Sequence, residues 1–460
     1  MKTFGFKAKL RYFPELDEHF RPIVMDNREY RKAVEESGGV PLKIALERND
    51  GLISTVQTRV LTDGWRDDNI IYVERLLKTL LYLKGGWKVL IAGPKYIEDH
   101  LRKVYTKGGE REFDAEFMER IYDRKFVIKA MSMDNMPETN DMSKALGRNL
   151  SGCRIGFDAG GSDRKVSAVI DGEAVYSEEV VWHPKLESDP NYHYRGIMES
   201  MKTAASKLPR VDAIGVSAAG VYINNQVKAA SLFIKVGKDD FEKKVKNIFI
   251  DIAAEFGVPV EVANDGDVTA LAGAMSLNEN RVLGIAMGTS EAAGYVDANG
   301  NITGWLNELA FVPVDYNPDA MEDEWSHDVG CGVKYFSQDG VIKLAKNAGI
   351  ALDESLSPAE KLKAVQGLME SGDVRAAKIY ESIGCYLGYT LAYYAEFYDV
   401  RNVLILGRVT SGQGGTILLD TAKKVLVNEF PELDIRLVVP DERSRRVGQS
   451  VAAASLPEAE

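Results

Sequence analysis

Cysteine is nearly missing: three residues in 460, Cys153, Cys331 and Cys385, far apart and with no CxxC pair. That argues against a disulfide framework and against a cysteine zinc site. No apolar run approaches the ~20 residues that a membrane helix needs. The start, MKTFGFKAKLRYF, alternates like a strand and lacks the apolar centre of a signal peptide, so a cytoplasmic location is expected. Positive charge is in deficit, with 57 Lys and Arg against 69 Asp and Glu and a net charge of −12. Such a balance does not suit a surface built to neutralise nucleic-acid phosphates. The five histidines, His19, His100, His183, His193 and His327, form no HxH or HExxH pattern. Low-complexity tracts and short repeats are absent too.

What remains is an ordinary globular composition, 45% hydrophobic and 27% charged, in a chain long enough for two or three domains. Residues 1–150 mix strand-like runs (LISTVQTRVL, KVLIAGP) with helical ones (IYVERLLKTLLYLKG, KYIEDHLRKVY), and read as an α/β region. The polar stretch 131–152 reads as a linker to a separate unit. Beyond it the pattern is more regular. CRIGFDAGG and KVSAVIDG predict a hairpin, AVYSEEVVWH a third strand, and YHYRGIMESMKTAASKL a helix. VDAIGVSAAG predicts a strand, DDFEKKVKNIFIDIAAEFG one long amphipathic helix, and VPVEVAND a strand running into the helix GDVTALAGAMS. VLGIAMGTS and AAGYVDANG pair as strands, and a long Tyr-rich helix leads into the strand NVLILG. The order helix–strand–helix near residue 90 echoes the order near 405, which would make the N-terminal region a relative of the last lobe.

Three Gly-bearing turns each follow a strand: DAGGS at 158–162, MGTSEAAG at 287–294 and LGRVTSGQGG at 406–415. Glycine lets backbone N–H groups line a concavity that binds anions. A plain polar turn is the competing reading for any one of them. Between the first two lies VANDGDVTALAG, where Asn264 and Asp265 end a strand as a helix begins. Both are good helix caps, yet a carboxylate at a strand end facing a cleft also has the placement of a general base. Asp267 adds a further carboxylate to the same turn.

From about residue 153 onward these motifs, in this order, resemble the ROK family of sugar kinases and sugar-responsive regulators, in the actin-like ATPase superfamily. FDAGGSDRK is similar to its DxGGT-plus-lysine opening, with Ser162 at the Thr position and the lysine, Lys165, displaced. GVSAAGVYINNQVKAAS looks like its next substrate-lobe segment, NDGDVTALAG like its NDA helix, and LGIAMGTSEAAGYVDANGNITG like its second phosphate loop. NVLILGRVTSG resembles its adenosine-side loop and RVGQSVAAASL its closing helix. There are departures. In NELAFVPVD, Glu308 survives but Phe311 stands where the family has a histidine. The cysteine-rich zinc motif is reduced to DVGCGVKYFSQDG, so no zinc is expected from Cys331 and His327. Glu291 replaces a small residue beside the phosphate loop, where a carboxylate would repel a triphosphate.

The resemblance implies an α/β, ribonuclease H-like, two-lobe actin-like ATPase fold. Residues 151–275 would form one lobe and 276–460 the other, with the closing helix near 445–456 free to pack back on the first. Residues 1–150 would be an added α/β region. It implies ATP and Mg²⁺ as cofactors and a sugar hydroxyl as acceptor. Asp158 would hold Mg²⁺ through water. Gly160, Gly161, Ser162 and Lys165 would meet phosphates from one lobe, and Gly288, Thr289 and Ser290 from the other, with Gly407 by the adenosine. Asp265 would be the base, with Asn264 and Glu308 on neighbouring hydroxyls. A non-catalytic sugar sensor and a partner-coupled ATPase are the other readings. Neither nucleic acid nor membrane is expected as a partner, and a homodimer is open to it.

Overall fold

The protein is described by a computed structural model over residues 3–141, 146–439 and 442–458, the side chains of 442–447 excepted. Residues 3–130 carry β1 (Val40–Glu47), β2 (Ile53–Val60), β3 (Lys88–Ala92) and β4 (Val127–Ala130). They form one sheet in the order β2-β1-β3-β4. The first lobe holds β5 (Cys153–Ala159), β6 (Asp163–Ile170), β7 (Glu173–Val181), β8 (Ala213–Ala218), β9 (Val221–Ile223), β10 (Gln226–Ala229) and β11 (Val260–Asn264). Its main sheet runs β11-β8-β5-β6-β7, and β9 with β10 makes a separate hairpin. The second lobe holds β12 (Val282–Met287), β13 (Glu291–Val296), β14 (Asn402–Leu406) and β15 (Arg436–Val438), in the order β13-β12-β14-β15.

Local chemistry sets the hairpins. Asp171 and Gly172 both take positive φ, 49° and 87°, as a two-residue turn matching the strand twist requires. β5, β8 and β11 are parallel, and so are β12, β14 and β15. The C-terminal ends of each set therefore open on one edge, where open α/β sheets bind ligands.

Two helices lie between these sheets. Asp265–Leu277 packs on β12 and β13, Glu442–Ala454 packs on β5 and β8, and the two pack on each other. The closing helix approaches the sheet backbone-to-backbone: a Cβ built on Gly215 would sit 1.7 Å from the Ala453 carbonyl oxygen, and one on Gly156 1.8 Å from that of Ser450. Glycine is obligatory there because no side chain fits.

The N-terminal region shares its core with the second lobe. Its helix Arg66–Lys84 is buried on nearly every side from Ile71 onward, its charged residues Glu74, Arg75 and Lys78 included. Leu77, Leu80 and Tyr82 join Leu309, Val312 and Tyr393 in one buried cluster. The same contact holds a buried ionic cluster. Asp328 is ion-paired with Arg75 at 2.5 Å, Lys78 at 2.8 Å and Arg111 at 2.8 Å, while Lys78 also faces Asp114 at 3.3 Å.

Three expectations change. The opening residues form no strand, because their backbone is bonded by side chains instead: Arg21 donates to the carbonyls of Phe4 and Phe6, and Ala8 N–H donates to Asp26. The long helix after residue 238 is broken by a π-helical turn, Phe241–Val245, before Ile248–Phe256, since the carbonyl of Lys246 is taken by Val227 N–H of β10. The echo between residues 90 and 405 stops at helix–strand–helix. β1 pairs antiparallel with β3, whereas β12 pairs parallel with β14, so the two sheets are wired differently.

Candidate active site at the interlobe cleft

Asp158 is the penultimate residue of β5, in register with Ser217 on β8. Ser217 Oγ donates to its Oδ1 at 2.9 Å, and Gln449 of the closing helix donates to the same atom at 3.3 Å. Among the described residues none donates to Oδ2. Burial and, after it, the charge of Asp265 push this carboxyl up to about 6, against the Ser217 bond and Lys165. A buried carboxylate at odds with its surroundings is relieved by a cation, so Asp158 suits a hydrated divalent ion. Lys165, directly opposite in β6, holds Asp163 at 2.9 Å.

The loop after β5 is pinned from below. Trp182 donates its indole N–H to the Gly160 carbonyl at 2.8 Å and its backbone N–H to that of Ser162 at 3.1 Å. Gly161 is glycine for no reason internal to the chain. Its φ is not left-handed, and among the described residues a Cβ would meet only the flexible end of Lys185, Cε at 3.0 Å and Nζ at 3.1 Å. Gly288 is the same case across the cleft, its nearest obstacle being the Ser290 carbonyl oxygen at 3.9 Å. Thr289 and Ser290 are exposed beside it, and Arg408 donates to Thr289 Oγ1 at 3.3 Å. Gly407, by contrast, is demanded by packing, with φ 97° and a Cβ position 2.2 Å from the Met287 carbonyl oxygen. That contact seats the 406–415 turn against the 287–290 loop.

Asp265 opens the helix Asp265–Leu277. Its Oδ1 accepts from Gly266 N–H at 3.0 Å, and burial holds its carboxyl above the ordinary range, with Lys185 the cation opposing that rise. Asn264 does the capping: its Oδ1 accepts from Gly266 N–H at 2.7 Å and its amide donates to the Gly220 carbonyl at 2.7 Å. That leaves little of Asn264 for a ligand. Glu308 faces the same space, pushed up to about 7 by burial and then by Asp265. Asp267 points inward instead, accepting from Tyr295 N–H and the Asn307 amide, and burial lifts it to about 7. Asp158, Asp265 and Glu308 are thus brought together from three segments of the chain.

Lys185 and Ser217 were not readable as site residues. Lys185 sits in the 3-10 turn Pro184–Leu186, which is anchored by buried His193, whose Nε2 faces the carbonyls of Pro184 at 3.1 Å and Leu232 at 3.0 Å. Ser217 is identified only by its register with Asp158. Glu291 and Phe311, the two departures, are both placed by packing. Glu291 turns away from the phosphate loop and is 4% exposed, toward Gly332, so it does not confront a triphosphate. Phe311 is packed against Tyr82, Phe113 and Phe117. Cys331 is buried with its thiol toward Asp328, whereas His327 is exposed beside Glu322. Among the described residues no group of three or more His, Cys, Asp or Glu could hold a metal ion, and no helix is long and apolar enough to cross a membrane.

Glu291 gives a stability prediction. Among the described residues neither carboxyl oxygen has a hydrogen-bond partner, and burial, then Glu308, push it up to about 8 from 4.5. The folded state keeps this proton longer than the unfolded one, so the contribution present below the ordinary value is lost as pH rises toward 8. Glu291→Gln should leave thermal stability at about pH 4 nearly unchanged and raise it above wild type at about pH 8.5, by a few kcal/mol at most. Melting curves at the two pH values check this; equal changes at both would contradict it.

The ROK family model matches residues 154–452, which covers the lobes and every residue of the cleft named above. No curated protein is similar enough to count as a match. Among solved structures, a ROK hexokinase from Thermus thermophilus is 17% identical with a TM-score of 0.52, over 65% of this chain and 97% of that one. A ROK family transcriptional regulator, described as a homologue of the E. coli MLC protein, is 20% identical with a TM-score of 0.53, over 67% of this chain and 79% of that one. At these identities the likeness speaks for the fold. With the family matched across both lobes and the motifs at the strand ends, the chain belongs to the ROK family and has its two-lobe actin-like ATPase fold.

Proposed function

We propose that the protein transfers the γ-phosphoryl group of ATP to a hydroxyl of a sugar or sugar-like polyol. The observation that carries this reading is that Gly161 and Gly288 are glycine where neither backbone conformation nor protein packing demands it. Gly161 follows the end of β5, which carries Asp158, and Gly288 follows the end of β12 in the second lobe. Exposed amides without side chains are what a phosphate chain occupies. Asp265 accepts the proton of the attacking hydroxyl, and burial, which raises its affinity for protons, makes it a stronger base than an exposed carboxylate. The acceptor oxygen bonds to the γ-phosphorus as the bond to the β,γ-bridging oxygen breaks, leaving ADP. Asp158 would hold Mg²⁺ through water, which supplies charge neutralisation on the phosphates. Lys185, over Gly161 and facing Asp265, adds a positive charge beside the transferred group; phosphoryl transfer asks mainly for such positioning and electrostatics. Glu308 orients a neighbouring hydroxyl.

Gly161→Val tests the cradle. The protein tolerates a side chain there, since only the tip of Lys185 must move, so the melting temperature should stay near wild type. Nucleotide affinity should fall below detection in isothermal titration with Mg-ATP, because the branched side chain fills the phosphate's place. Unchanged affinity would make the loop only a turn. A second reading, a sugar-binding sensor without turnover, is favoured by Phe311 at the position where the resemblance expects a histidine.

A further inference from the structure

The N-terminal region reaches both lobes on the acceptor side of the cleft. On the second lobe, the C-terminal end of its helix Arg66–Lys84 offers the carbonyls of Tyr82 and Leu83. These accept from the backbone N–H of Glu308 at 3.0 Å and of Asn307 at 3.1 Å. The last carbonyls of a helix have no partner within it, so here they fix the backbone that carries Glu308. Tyr82, Phe113 and Phe117 then enclose Phe311, three residues on. On the first lobe, Asp123 ends the helix Glu112–Tyr122 in a left-handed conformation, φ 52° and ψ 35°. Its carboxylate meets Lys228 of β10 at 2.6 Å and Lys246 at 3.5 Å. The Lys228 side chain is 5% exposed, and that helix packs on β9 and β10. Tyr222, on β9, is among the groups that feel the charge of Asp265.

The two contacts are linked inside the N-terminal region. Tyr122 precedes Asp123, and its hydroxyl lies so close to Gly85 that a Cβ there would be 1.8 Å away, with Leu306 on the other side at 2.9 Å. Asn49 holds the turn by donating to the Tyr122 carbonyl at 3.2 Å and accepting from Arg124 at 3.0 Å. A continuous packed path therefore runs from Lys228 through Asp123, Tyr122 and Gly85 to Tyr82, Leu83 and Glu308.

We infer that residues 3–130 are a bracket that ties the β9–β10 hairpin of the first lobe to the Glu308 segment of the second, with Asp123 as its positioning residue. The bracket sets the separation of the lobes beside Asp265 and holds Glu308 toward the acceptor; the part concerning Glu308 rests on the kinase reading. Asp123→Lys places a third positive charge against Lys228 and Lys246 and should break the first-lobe contact. Combining it with Lys228→Glu restores one opposite-charge pair.

The test uses the full chain with spin labels on cysteines introduced at exposed Lys202 and Asp420, one on each lobe, the three native cysteines being buried. Double electron–electron resonance should give a narrow interlobe distance in the otherwise wild-type chain. Asp123→Lys should broaden it, and the charge-swapped pair should narrow it again. In parallel, Asp123→Lys should raise the acceptor KM by roughly tenfold while kcat changes little, the signature of lost substrate positioning. The same distribution in all three proteins, or a broadening that the swap does not reverse, overturns the bracket. Absence of turnover in the wild-type chain would sink the kinase reading alone, because the distance measurement decides the bracket without turnover.

Discussion

Asp265→Asn should lower kcat by at least 10²-fold and by as much as 10⁴-fold, the range of general-base contributions, while the dissociation constant for the sugar stays within a few-fold of wild type. The substitution keeps the volume and an oxygen that can still accept from Gly266 N–H, as Oδ1 does at 3.0 Å. It removes only the capacity to take a proton. The cap of the following helix is supplied by Asn264, so thermal stability should hold. The pH profile adds a second check. A base whose affinity for protons is raised by burial is lost as pH falls through that value. The wild-type rate should therefore drop on the acid side, and the residual rate of the variant should lack that limb. Retained turnover in Asp265→Asn would leave Asp265 as a helix-start residue and nothing more.

Asp328→Asn should cost about 3–5 kcal/mol of stability, the effect of removing one partner from a buried ionic cluster. The carboxylate is 2% exposed and is ion-paired with Arg75, Lys78 and Arg111. Those three cations hold it well below the ordinary carboxylate range against the opposing effect of burial, which is the largest single influence. Neutralising it removes the charge shared by three buried cations, with Lys78 still facing Asp114 and Arg111 still facing Glu74. Since the cluster joins the N-terminal helix Arg66–Lys84 to the second lobe, chemical denaturation should show the whole chain destabilised. A midpoint within error of wild type would mean that the cluster is dispensable. The pH dependence has the opposite sign to that of Glu291: a depressed carboxyl stabilises above its unfolded value, and that contribution disappears as pH falls.

The lobes were legible because their signals are local. Asp171–Gly172 names its own turn, alternation names β6 and β7, and strand-to-glycine junctions mark 158–162, 287–290 and 406–408. Asp158, Asp265 and Glu308 each close or follow such a segment. What sequence did not reveal depends on contacts across the chain. Lys185 reaches the loop at Gly161 through a turn whose position depends on His193 and Leu232. Ser217 matters because of a register between β5 and β8. The doubt over Glu291 disappears with the direction of one side chain at the start of β13. The docking of the N-terminal region did leave a trace: a helix rich in Leu, Ile and Tyr, with Arg75 and Lys78 among them, needs both a surrounding core and buried acids. The acids come from Asp114 and Asp328, more than 200 residues apart along the chain, and no local pattern pairs them. The division at 1–150, 151–275 and 276–460 is kept as a proposal about chain organisation, beside a core that residues of the first segment share with those of the last.

Phosphoryl transfer to a sugar hydroxyl is decided by incubating the protein and Mg-ATP with a panel of hexoses, amino sugars and polyols. ADP release is followed by a coupled assay, and the sugar product by mass spectrometry. The account predicts at least one acceptor that gains a single phosphoryl group, with one ADP formed per product and both signals lost in Asp265→Asn. Tight sugar binding with no ADP and no product, or ADP formed at the same rate without any sugar, would contradict it.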